Sequence, residues 1–331
     1  MIVYERRAST VLFNVLRARR VDRPYLLPAN ACSILPITLL KARVPFELVD
    51  ISSASLEIDP DAVLDRVSKT SGGCAGLIFV RPYGLLTDAE PFFREFKRRA
   101  PGAIVVDDRC LCSPSFATRT AGVADVVLYS TGHAKAVDIG WGGFGVLAER
   151  CEYVSDRAPF DPLDLERLTR DYRDALASGV KFEYIASRWL DMRKPPVGWL
   201  QYRERVERRR ARAHTHRRSL NSIYRAGIPA ELQYPDAYQQ WRFNIRVANA
   251  PDVLAAIFAG GLFASRHYIP LTRAFGGGEA PNAEAVYDHV VNLFNDLHFG
   301  AEQASRAADI VRTVAIPVTP MPGASRNLRY A

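Results

Sequence analysis

The chain has 331 residues, is 48% hydrophobic and carries a formal charge of +8, which is enough apolar material for a large core and enough length for two domains. Its five cysteines, Cys32, Cys74, Cys110, Cys112 and Cys151, are odd in number and lack framework spacing. They argue against a disulfide-built secreted scaffold and for buried thiols in a reducing, cytoplasmic compartment. No stretch nears the roughly 18 apolar residues of a membrane-spanning helix, no signal peptide precedes Glu5, Arg6 and Arg7, and Cys110 with Cys112 lacks the further ligands that zinc needs, so neither membrane nor metal is expected. The basic balance suits an anionic partner, and by itself does not choose among a phosphorylated small molecule, nucleic acid and a membrane surface.

In chain order, the first pattern is an amphipathic helix with Val11, Leu12, Val15 and Leu16 on one face and Ser9 and Thr10 at its front. Over residues 25–147, short β-rich runs (25–27, 46–49, 76–80, 103–106 and 125–129) alternate with helical or loop segments, the signature of a layered α/β domain. Phe92, Phe93 and Phe96 fall at helical spacing, as the core face of a crossover helix rather than an aromatic cofactor box. Two apolar runs end abruptly in polar groups, one at Asp107 and Asp108, the other at Ser130 and Thr131. Open α/β sheets bind ligands at the carboxyl ends of their strands, so chemistry is expected there. Beyond Cys151 the pattern turns helical, breaks at Pro195 and Pro196, and continues as a long Arg-rich helix over about 198–225. A strand over 241–247 and helices over 251–259, 282–291 and 301–311 complete the chain, followed by a polar tail after Pro320 that is expected to be poorly ordered. The predicted division is a large α/β domain over 1–150, then a helical connection and a smaller α+β domain over 151–331.

The chemistry centres on Lys135. It stands five residues after Ser130 and is closely followed by the small-residue run Gly140-Trp-Gly-Gly-Phe-Gly145, where backbone can pass close to a bound group. Taken alone it reads as a solvated loop lysine. Desolvated, its neutral amine is the group that condenses with an aldehyde. Asp108 at a strand end can pair with the nitrogen of a pyridinium ring. Ser9 and Thr10 offer hydroxyls and free helix N–H groups to a phosphate, or simply cap the helix, and Ser130 adds a further hydroxyl. Together these point to pyridoxal 5′-phosphate. His133, two residues before Lys135, reads either as a cofactor or substrate contact or as a polar loop residue. Arg81 and Arg109 are anion binders by position and surface residues by default.

The order of these features, with Pro28-Ala-Asn-Ala-Cys32, 46–50 ending in Asp50, Val80-Arg-Pro-Tyr-Gly84 with Asp88, Ser130 to Lys135, and Gly142-Gly143, resembles the DegT/StrS family of fold type I aminotransferases. The likeness extends through 241–247 and through Ser265-Arg-His-Tyr-Ile-Pro-Leu271. It implies a large, mostly parallel sheet domain with a smaller α+β domain, and Lys135 as cofactor lysine and proton shuttle. It further implies Asp108 on the ring nitrogen, Ser9, Thr10 and Ser130 on the phosphate, and His267 and Tyr268 on a loop facing the site, Tyr268 serving equally as a packing residue. The resemblance also implies a homodimer that passes an amino group, usually from glutamate, to a nucleotide-linked keto-sugar. Departures are Leu111 where the family commonly has glutamine, Cys32 where an aromatic ring stacks on the cofactor, no clear match around 181–188 for the asparagine lent to the partner subunit, and an opening almost at the phosphate-binding helix. They leave open a degenerate relative that binds cofactor without turnover, or a structural protein. Two other readings are weaker. The glycine run formally matches a dinucleotide fingerprint, which would make an NAD-dependent oxidoreductase, yet it leads into strand-like sequence. The stretch 203–218 is Arg-rich, yet Glu204 and Glu207 interrupt it and aromatic residues are scarce in it, so a solvated helix is expected rather than a nucleic-acid site.

Overall fold

A computed structural model describes every residue except 20, 70–72, 118–120 and 319–331, so the polar tail after Pro320 lies outside the described residues. The elements in chain order are β1 (Ile2–Glu5), α1 (Ala8–Ala18), β2 (Tyr25–Pro28), α2 (Ile34–Ala42), β3 (Phe46–Val49), α3 (Pro60–Lys69), β4 (Gly76–Val80), α4 (Glu90–Arg99), β5 (Ile104–Asp108), β6 (Val126–Ser130) and β7 (Gly143–Leu147). They continue with α5 (Pro162–Ser178), α6 (Trp199–Gly227), β8 (Phe243–Arg246), α7 (Ala250–Ala259), β9 (Ala264–Ser265), α8 (Thr272–Phe275), α9 (Pro281–His289), β10 (Val290–Leu293) and α10 (Ala301–Val314).

The apolar runs of the first half form one seven-stranded sheet in the order β1-β7-β6-β5-β4-β2-β3. Strands β3, β2, β4, β5 and β6 are parallel, and β7 runs antiparallel to both β6 and β1. Every residue of β2, β4, β5, β6 and β7 is buried, as a sheet covered on both faces requires. Strand alternation assigns the faces. Val106, Val126 and Leu128 pack with α1, α2, α5 and α8, while Val105, Val127 and Tyr129 pack with α3, α4 and the first turns of α6. The expected stripe on α4 is present, with Phe93 and Phe96 buried.

The smaller sheet, β8-β10-β9, is antiparallel. Its core combines Phe243 and Ile245 with α7, α10 and the far end of α6. Helix α6 has 29 residues and a length of about 40 Å at 1.5 Å per residue. Tyr202 and Val206 near its start pack on the large sheet, whereas Leu220 and Tyr224 near its end pack on the small one.

Two expectations are corrected. The helix expected over 282–291 stops at His289, and Val290–Leu293 pairs with β8 and β9; the β-branched Val290 and Val291 suit a central strand better than a last helical turn. The sequence reading also passed over β1, four residues flanked by charge, which takes its place by pairing with β7. The glycine run enters a strand, β7, rather than a helix, so the context that a dinucleotide fingerprint requires is absent. Among the described residues, no helix is long and apolar enough to cross a membrane, and no group of three or more potential ligands gathers for a metal ion.

Candidate active site at the carboxyl edge of the large sheet

Because β2, β4, β5 and β6 run parallel, their carboxyl ends share one edge of the sheet. The edge gathers Asn30 and Cys32 after β2, Tyr83 after β4, Asp108 at the end of β5, and the loop from Ser130 to Lys135 after β6. β1 runs parallel to β6 through their shared neighbour, so α1 also begins at this edge. Its seat depends on the paired glycines. A Cβ on Gly143 would lie 2.3 Å from the Ala8 backbone nitrogen, and one on Gly142 would lie 2.6 Å from Thr131 Oγ1; only glycine allows that approach.

Asp107 and Asp108, adjacent in sequence, face opposite sides of the sheet. Asp107 sits within the α3/α4 side, where Arg81 donates to both its oxygens at 2.8 and 3.2 Å and Arg109 donates from Nε at 2.8 Å. Arg81 is also bonded to Glu57 and Thr87. The two arginines weighed as anion binders are therefore occupied by a buried ion-pair network. Asp108 faces the α1 side, 5% exposed, and accepts from the Cys110 N–H at 2.8 Å. Burial pushes its carboxyl up, against the Cys110 hydrogen bonds and the positive charge of Lys135.

Lys135 is half-buried, and the backbone on either side of it is held. Trp241 Nε1 donates to the Ala134 carbonyl at 2.6 Å, and Arg217 Nη2 donates to the Ala136 carbonyl at 2.7 Å. The Asp138 carboxylate accepts from the N–H groups of Ala134 and Gly140 at 2.9 and 2.7 Å. Ala134 itself has φ of +57°, an uncommon conformation for alanine that these bonds maintain. Arg217 is buried, has no partner at Nε among the described residues, and has its pKa lowered to about 10 by burial and then by the neighbouring Arg242. Neither Trp241 nor Arg217 was singled out from the sequence. A signal for Arg217 exists, since it falls in register with Ala213, Leu220 and Tyr224, all buried on α6.

The loop after β9 packs against this edge, where the Leu271 N–H donates to the Ala29 carbonyl at 2.8 Å. Tyr268 donates its N–H to Asn30 at 3.2 Å, and Tyr83 donates its hydroxyl to the His267 carbonyl at 2.7 Å. The Tyr268 phenol shares its surroundings with Cys32, Asp108, Tyr83 and Cys110, and burial pushes its pKa well up. His267 lies against the Trp241 ring and near Ser265 Oγ at 3.0 Å. Burial, reinforced by the charges of Arg242 and Lys135 and opposed by Asn292, lowers its pKa to about 4, so the ring is neutral at pH 7.

The remaining predicted residues divide. Ser9 stands in the first turn of α1, and its hydroxyl has no partner among the described residues. Thr10 is fully buried, its hydroxyl donates to the Asp191 carbonyl at 2.9 Å, and its N–H is bonded to the Arg7 carbonyl. Ser130 is buried, and among the described residues its hydroxyl has only a long 3.5 Å contact from the Gly132 N–H. Cys32 is partly exposed, and Leu111 is buried. His133 is exposed and lines a cleft on the α6 side whose walls include neither Lys135 nor Asp108.

No family model and no curated protein sequence matches the chain. Solved structures do match in fold. A DegT DnrJ EryC1 StrS aminotransferase from Brucella abortus is 15% identical, with a TM-score of 0.66 over 94% of this chain and 85% of that one. DesV from S. venezuelae, solved with a ketimine intermediate, is 20% identical, with a TM-score of 0.66 over 96% and 85%. DesI, solved with its TDP-sugar product, is 16% identical, with a TM-score of 0.69 over 94% and 80%. The chain thus has the α/β fold of these aminotransferases, with its large mixed sheet and smaller second sheet.

Proposed function

We propose that the protein is an aminotransferase dependent on pyridoxal 5′-phosphate, which moves an amino group from an amino acid such as glutamate to a nucleotide-linked keto-sugar. The observation that carries this reading is the convergence of Asp108, at the end of β5, and the Lys135 loop, after the neighbouring β6, on one carboxyl edge of the sheet. A carboxyl pushed up by burial, with Lys135 as its opposing cation, suits a cationic ring nitrogen, and the free Ser9 hydroxyl beside the N-terminus of α1 suits a phosphate. The residues present therefore fit the cofactor, which when bound supplies an aldehyde carbon and an electron-withdrawing ring. Lys135 then holds the aldehyde and afterwards carries the proton to and from the substrate carbon next to nitrogen. Asp108 keeps the ring nitrogen protonated, Ser9 and Ser130 hold the phosphate, and Cys32 and Tyr268 flank the ring. Neutral His267 accepts or donates a hydrogen bond without adding charge beside Lys135.

The wider reading comprises a homodimer with its sites at the subunit interface, a division into a large domain over 1–150 and a smaller one over 151–331, and a cytoplasmic setting suited to free thiols at all five cysteines. The TDP-sugar bound to DesI supports the substrate class. Cofactor binding without transfer is the alternative that the following test separates from this reading. The discriminating experiment is a half-reaction of the cofactor-loaded protein with L-glutamate. The proposal expects close to one equivalent of 2-oxoglutarate per chain and none from Lys135→Ala. No product from any common amino acid, with Lys135 still reactive toward the cofactor, would establish that alternative.

A further inference from the structure

The cleft that His133 lines is a concentration of unmatched charge. Arg205, Arg208, Arg209 and Arg212 face it from α6, and the loop through Asp138 and Trp141 forms the opposite wall. Their spacing of three, four and seven residues stacks the four guanidinium groups along one helix face over about 10 Å. Arg208 is paired with Glu204 at 3.0 Å, and Arg209 donates to the Asp138 carbonyl at 3.1 Å. Arg205 and Arg212 have no partner among the described residues. Elsewhere on the same helix, Arg203 has Glu207 and Arg210 has the Pro114 carbonyl, while exposed Arg218 lies outside the cleft. Like charges at such spacing repel, and no ion pair among the described residues offsets the outer two.

We propose that this cleft is a second binding site, for a diphosphate-bearing small molecule of the nucleoside diphosphate class. Forked guanidinium groups match phosphate oxygens two at a time. The cleft volume, about 970 Å³, matches a small-molecule site, and the Trp141 ring beside it offers a face for a planar base. Binding to a nucleic-acid strand calls for a longer basic track with several stacking rings, and here Glu204 interrupts the track and one indole stands alone. The site is independent of the cofactor proposal, but it touches the same loop: Arg209 holds Asp138, whose carboxylate holds Ala134 beside Lys135.

The test is calorimetric titration of the full chain at low salt with inorganic pyrophosphate, uridine diphosphate and a 20-nucleotide single-stranded DNA. One saturable nucleotide site per chain is expected. The double variant Arg205→Ala/Arg212→Ala weakens it at least tenfold, whereas Arg203→Ala on the same helix changes it less than twofold. Trp141→Phe preserves both affinities, and Trp141→Ala weakens the nucleotide but not pyrophosphate. Absence of saturable binding, retention of affinity by the double arginine variant, or tighter binding of the DNA than of the nucleotide would overturn the proposal. Borohydride labelling of Lys135, measured in parallel, reports on the cofactor reading separately.

Discussion

Asp108→Asn separates what the carboxylate does for the cofactor from what it costs the fold. Asparagine has the same shape and keeps an acceptor for the Cys110 N–H, which now lies 2.8 Å from the carboxylate, but it cannot ionise. Burial raises the Asp108 pKa in the folded chain. An acid with a raised folded pKa imposes no penalty below its unfolded value near 4, and a full penalty once the pH exceeds the folded value. The cofactor-free variant should therefore match wild type near pH 4 and become more stable than it as pH rises, by about 1–3 kcal/mol for an imperfectly compensated buried group. Cofactor retention should move the other way. A hydrogen bond to a charged partner contributes about 1.5–3 kcal/mol, so the variant should hold pyridoxal phosphate roughly 10- to 150-fold more weakly. Thermal melts across pH and fluorescence titration of the cofactor measure the two effects. A variant that is destabilised equally at all pH values and binds the cofactor as wild type does would refute the assignment of Asp108.

Other consequences concern the supports of the site. Trp241→Phe and Arg217→Met each remove one of the bonds on the carbonyls flanking Lys135; each should cost about 1–2 kcal/mol in chemical denaturation and slow trapping of the cofactor on Lys135, the effect on trapping being absent if the loop is held without them. His267, neutral when folded with a pKa of about 4 against 6.5, binds a proton preferentially in the unfolded chain. Stability should thus fall as pH drops from about 6.5 to 4, by on the order of 3 kcal/mol, and His267→Gln should flatten that part of a pH-dependent melting series. Gly143→Ala places a Cβ 2.3 Å from backbone and should lose about 3 kcal/mol or more, visible as a lowered melting temperature or loss of soluble protein. Arg81→Ala leaves Asp107 and Glu57 buried without their partner and should cost about 3–5 kcal/mol in denaturant titration.

The large sheet was legible because its strands are short unbroken apolar runs with turn residues between them, and each of the five runs read from sequence is a strand. β10 was hidden because Val290 and Val291 continue the period of α9, and only pairing with β8 identifies them as strand. The placement of candidate residues was legible where chain order puts them at strand ends, as with Asp108 and Ser130. It was not legible where identity depends on which way a side chain turns. Thr10 looks like a phosphate ligand beside Ser9, but one position of helical rotation sends its hydroxyl to Asp191. Arg81 looks like an anion binder, yet its partner is Asp107 on the far face of the sheet. Trp241 and Arg217 reach Lys135 across more than 80 residues of chain, a contact that no local pattern announces.

The central claim is that Lys135 and Asp108 form a cofactor site. Its most direct test is to incubate the purified chain with pyridoxal phosphate, reduce with borohydride, and map the modified peptide by mass spectrometry, with Lys135→Ala alongside. The account predicts a visible absorbance band that reduction removes, with one pyridoxyl group per chain located on Lys135. Absence of the band, or label scattered over other lysines and unchanged in Lys135→Ala, would contradict it.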